Sequence, residues 1–128
     1  MIKKNQTYTY IREKLLEYNP ELFCTNSRIY ASSRFPTVMI REISASPVRS
    51  NINLTDNSYR ITWEVEAFSD KAQGGEEEAY TLVRKAEEAF NSIGFRMTMN
   101  APTENTKEVT VHRHIARFTR IVCSDDEI

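Results

Sequence analysis

Two histidines, two cysteines and a run of three glutamates are the side chains here with most chemistry to offer. His112 and His114 stand two apart, Cys24 and Cys123 lie near opposite ends, and Glu76, Glu77 and Glu78 follow Gly74-Gly75. A thiol nucleophile needs a histidine as base and an acid to orient it. Two residues apart on a strand, the histidines share one face while Cys123 falls at the opposite parity, so one strand does not assemble that set. A metal at the histidine pair would need third and fourth ligands, and nothing nearby has the spacing. Gly74-Gly75 is not followed by Lys-Ser/Thr, and three carboxylates behind it would repel a phosphate. The basic set His112, Arg113, His114, Arg117 and Arg120 points to both faces of one strand, without the stacked aromatic pairs of an RNA-reading sheet. The expectation is a protein with no catalytic site, no metal and no cofactor. It is not an enzyme on this reading.

The surrounding pattern describes a scaffold. From about Glu76 to Ile93 the apolar residues Ala79, Leu82, Val83, Ala86, Phe90 and Ile93 fall at helical spacing and line one stripe. The glutamates oppose the positive end of that helix, and Gly94 suits the left-handed position that ends it. A second helix is predicted near the start, with Tyr8, Ile11, Leu15 and Tyr18 on one side and Asn5 or Thr7 as cap. Pro20 stops it. Strands are expected at residues 28–31, from Phe35 to Ile43, from Tyr59 to Phe68, from Phe95 to Met99 and from Glu108 to Cys123. Pro36 belongs at a strand start or on an edge. Tyr59, Ile61, Trp63, Val65 and Ala67 alternate strictly with polar residues, so one face is apolar and the other charged. In the last strand the alternation slips, and a bulge near Arg113 to Ile115 would account for it. Asn100 to Lys107 reads as a turn. Residues Ser44 to Ser58 are polar and aperiodic, a long loop of the kind that binds partners.

These elements predict one α+β domain over residues 1–128. Its mostly antiparallel sheet of about four to five strands is covered by two helices in the order α-β-β-β-α-β-β, with a frayed tail at 124–128. At 40% apolar and 27% charged residues, the chain is an ordinary globular sequence. A net charge of −1 gives no overall field to recruit nucleic acid or an acidic membrane. No apolar run approaches the length of a membrane span, and Met1 to Asn5 has no hydrophobic segment behind its lysines. The cysteines read as reduced thiols of a cytoplasmic protein, or at most as one bridge.

Several short motifs, taken in order, resemble one family. Phe35-Pro36-Thr37-Val38 is followed by the long polar loop and then by Tyr59 to Ser69, which ends in Ala-Phe-Ser. Glu77-Glu78-Ala79, Ser92-Ile93-Gly94-Phe95-Arg96 and Met99-Asn100-Ala101-Pro102 come next, before a closing strand His112-Arg113-His114-Ile115-Ala116-Arg117-Phe118. Together they are similar to the tail terminator proteins, also called tail completion or minor capsid proteins, in the neck of long-tailed bacteriophages. The resemblance implies a structural virion protein, assembled in the host cytoplasm, that forms a ring, typically a hexamer. Such a ring caps the head-proximal end of the tail tube and offers its other side to the head-completion protein. DNA passes through without specific binding, and no membrane is involved. On this reading Val48, Arg49, Asn51, Asn53 and Thr55 form the tube-docking loop. Arg60, Glu64 and Glu66 supply one half, and Arg113 and Arg117 the other half, of a charged contact between subunits. The alternatives are another neck component (a stopper or adaptor) and a small nucleic-acid-binding α+β domain.

Overall fold

A computed structural model describes residues 4–26, 35–48, 58–71, 73–103 and 111–123. The elements are α1 (Lys4–Tyr18), β1 (Phe23–Thr25), β2 (Thr37–Val48), β3 (Ser58–Ser69), α2 (Gly75–Ser92), β4 (Arg96–Thr103) and β5 (His112–Cys123). This is the expected α+β order. The five strands form one sheet, β1-β2-β3-β5-β4, antiparallel except where β1 lies parallel to β2.

β3 sits at the centre, and its period of two sorts the molecule. Ile61, Trp63, Val65 and Ala67 are buried under both helices, joined by Val38 and Ile40 of β2 and by Ala116, Phe118 and Val122 of β5. α2 contributes Ala79, Leu82, Val83, Ala86, Ala89 and Phe90, and α1 contributes Ile11 and Leu15. Phe90 is the hub. Its ring stacks on Phe118 at 4.7 Å and 11°, meets Phe95 edge-on at 5.2 Å, and lies 6.1 Å from Trp63. Offset and edge contacts of this kind add to the burial of each ring.

Both ends of α2 are matched to their charge. Three glutamates occupy the first turn. At the other end Gly94 takes φ 89°, and Arg120 donates from Nη1 to the Ile93 carbonyl at 2.8 Å. A guanidinium there satisfies a free carbonyl and opposes the negative end of the helix.

Several boundaries differ from the sequence reading, each for a local reason. α1 begins at Lys4, so Asn5 and Thr7 lie inside it and neither caps it. Thr7 is fully buried in the stripe with Ile11 and Leu15, whereas Tyr18 is 48% exposed and lies under the Lys85 ammonium at 5.2 Å. The first strand is Phe23–Thr25, and residues 28–31 lie outside those described. Ser44 to Val48 belong to β2 rather than to a loop. They pair with Ser58 to Thr62 after a register shift between Glu42 and Ser44. Residues 44–47, Ser-Ala-Ser-Pro, are all exposed, so the strand shows no alternation of apolar and polar side chains to read. β4 runs on to Thr103, through Pro102, which an edge strand tolerates.

The expected bulge near Arg113 to Ile115 does not exist. β5 pairs with β3 in unbroken register from His112 to Cys123. The alternation slips because both faces carry apolar groups. Val111, just ahead of β5, packs with Met39, Phe68 and Phe35 in a second, smaller cluster on the far face.

Candidate interface on the helix-free sheet face

Among the described residues, both helices cover the face of the odd-numbered β3 side chains, and no helix covers the other. That second face carries Arg60, Thr62, Glu64 and Glu66 from β3, flanked by Met39 and Arg41 of β2. β5 adds Arg113, Ile115, Arg117, Thr119 and Ile121.

Register builds a polar ladder there. Arg41, Glu64 and Arg117 lie directly opposite one another on three neighbouring strands. Glu64 accepts from Arg41 Nη2 at 3.3 Å on Oε1 and from Arg117 Nε at 3.1 Å on Oε2. Arg113 reaches diagonally to Glu66 with two donors, Nε at 2.9 Å and Nη2 at 2.5 Å, while its guanidinium lies 5.1 Å from the Phe68 ring. Thr62 and Thr119 share a hydrogen bond of 3.1 Å. Glu64 and Glu66 are only 5% and 4% exposed. A buried carboxylate stripped of its arginines is costly, so these pairs fix the sheet's central register. Arg41 Nε is buried with no hydrogen-bond partner.

The predicted charged contact between subunits therefore changes character. Glu64, Glu66, Arg113 and Arg117 meet inside one chain, because β3 and β5 are neighbours. A strand-by-strand reading treats them as separate halves. Arg60 alone of the five stays exposed without an ion pair among the described residues. Of the predicted docking loop, Val48 ends β2 opposite Ser58. Arg49, Asn51, Asn53 and Thr55 lie outside the described residues, as does the tail at 124–128.

The remaining chemical candidates have structural partners. His112 packs against Gly75, where any Cβ would collide with its imidazole, and sits 3.9 Å from Glu76. His114 is buried, bonded through Nε2 to the Asn100 side-chain oxygen, with Tyr80 edge-on at 5.2 Å. Burial pushes its pKa below the ordinary 6.5. Ser69 donates to Glu78 at 2.6 Å, and Lys71 reaches the other oxygen of that carboxylate at 2.6 Å. Burial alone would raise the Glu78 pKa, but these two bonds outweigh it and hold the group below its usual value. Burial pushes the Cys24 thiol up to about 11, away from the reactive thiolate. Among the described residues no group of three His, Cys, Asp or Glu side chains converges to hold a metal. None of the described helices is long and apolar enough to cross a membrane.

A groove of about 440 Å³ between α1 and α2 is lined by Tyr10, Lys14, Tyr18, Lys85 and Glu88. Its lysines are spoken for: Lys14 meets Glu17 at 3.8 Å and Lys85 meets Glu88 at 3.5 Å. The sequence signal for the sheet-face ladder was the alternation of Arg60, Glu64 and Glu66 in β3. No such signal picks out Arg41, whose role follows only from pairing. Neither models of known protein families nor curated proteins give a match to this chain.

Proposed function

We propose that this chain is a structural, non-enzymatic ring subunit of the tail-terminator type, which caps a phage tail tube at its head-proximal end and joins it to the head. One observation carries this reading beyond the motif resemblance: a sheet whose second face has no helix over it among the described residues but is built to order, with buried carboxylates held by arginines of both neighbouring strands. A rigid charged face of this kind suits repeated docking against protein better than turnover of a small molecule. It couples shape, fixed by the sheet, to electrostatic specificity. The partners on this reading are further copies of the chain, the tail tube protein and the head-completion protein, with DNA crossing the lumen unbound.

Native mass spectrometry and negative-stain imaging of the protein, alone and added to purified tail tubes, test the proposal. The expected result is a closed ring with a central hole that blocks further tube growth. A protein that neither forms rings nor stops growth at the tube end contradicts it.

A further inference from the structure

We infer that copies of this chain meet head to tail, the helix-free sheet face of one receiving the α2 side of the next. The inference rests on the ring reading above and specifies its surfaces. The argument is one of charge left over after internal pairing. On the sheet face Arg41 and Arg117 are satisfied by Glu64, and Arg113 by Glu66. Arg60 and Arg96, opposite Thr119 at the same face, remain exposed with no ion pair among the described residues. On α2, Arg84 is paired with Glu87, Lys85 with Glu88, and Glu78 with Lys71. What remains is Glu77 and Glu76, the latter 87% exposed and touched only distantly by His112. Among the described residues, two cations without an ion pair on one side thus complement two carboxylates on the other, of which Glu76 is approached by His112 alone.

A surface whose described residues have only positive charge to spare does not suit its own copy, because a two-fold contact would oppose like charges. It can dock on the α2 surface. Such a contact uses two different patches per subunit, so it repeats until it closes into a ring. Apolar side chains stand at two points on this face: Ile121 is 53% exposed beside Arg60, and Ile115 is half-buried further along β5. Exposed isoleucine beside arginine fits a protein interface, which mixes apolar and polar contacts. It fits a phosphate backbone less well.

Two variants separate the patches: Arg60→Glu with Arg96→Glu on the sheet face, and Glu76→Lys with Glu77→Lys on α2. Glu76→Gln with Glu77→Gln serves as a milder helix variant, since lysines oppose the helix dipole in the first turn. Circular dichroism checks folding. Native mass spectrometry should show wild-type oligomers, single subunits for either charge-reversed variant, and oligomers restored in an equimolar mixture of the two. In that mixture the intact sheet face of one variant meets the intact α2 face of the other, and the two reversed faces are again opposite in charge, so the subunits alternate. A sheet-face variant that assembles like wild type overturns the inference while leaving the ring reading in place. A wild type that stays monomeric alone overturns it as well. So does wild-type binding of a DNA duplex that the sheet-face variant loses with its association unchanged. Assembly through these faces without any capping of tail tubes would instead sink the proposed function and leave the inference standing.

Discussion

The two faces of the sheet are built from the same strands and do different work. Under the helices, Trp63, Phe90, Phe95 and Phe118 pack ring against ring, inside a cluster of apolar side chains from both helices and three strands. On the other face the matching positions hold Glu64, Arg117 and Thr119 at the centre, with a small apolar cluster of Met39, Phe68 and Val111 at one end. Burial of apolar area is non-directional and supplies most of the folding free energy. Buried ion pairs supply little net stability but tolerate only one register. The helix-covered face makes the domain stable. The other face makes it specific.

Substitutions should separate these roles. The largest effect belongs to Phe90→Ala, which empties the centre of the aromatic cluster and should cost about 3–5 kcal/mol in urea unfolding. A loss below about 1 kcal/mol would mean that the cluster repacks without it. Glu64→Gln should cost less, about 1–3 kcal/mol, because Arg41 and Arg117 lose their shared anion but both reach water. Arg60→Glu on the same face should leave stability within about 0.5 kcal/mol of wild type, as expected for an exposed side chain outside any ion pair. Equal losses for these two variants would erase the distinction between the ladder and the free rim.

Gly94→Ala should cost about 1 kcal/mol, since φ 89° is unfavourable for a side chain and the new Cβ would press on Arg120. The smallest effect is one of pH. His114 holds a lowered pKa in the fold, so the unfolded chain binds the extra proton first. Its contribution is full above the unfolded value near 6.5 and is lost as pH falls through the lower folded value. Thermal unfolding across that window should show a decline that His114→Gln flattens. An unchanged slope would mean that other groups dominate.

The fold was largely legible because its signals are local. The α2 stripe, the Gly94 stop and the β3 alternation each sit within a dozen or so residues. What the chain conceals depends on pairing. Glu64 and Arg117 are 53 positions apart, and only the β3–β5 register makes them one contact. Arg120, read as one of a basic strand set, turns out to close the end of α2. Ser44 to Val48 looked like loop because polarity marks solvent exposure, and a strand on the open side of a sheet is exposed too. The apparent slip in β5 has a different origin. It reflects a second apolar cluster on the far face rather than an inserted residue.

Methyl NMR of isoleucine-labelled protein, followed over a dilution series, tests most directly whether the helix-free face is where molecules meet. Ile11, Ile40 and Ile61 lie in the core, whereas Ile115 and Ile121 look out from β5 on the open face. The predicted result is that the Ile115 and Ile121 methyl signals shift or broaden as concentration rises while the three core signals hold still. Concentration-dependent association that leaves Ile115 and Ile121 unmoved would contradict it.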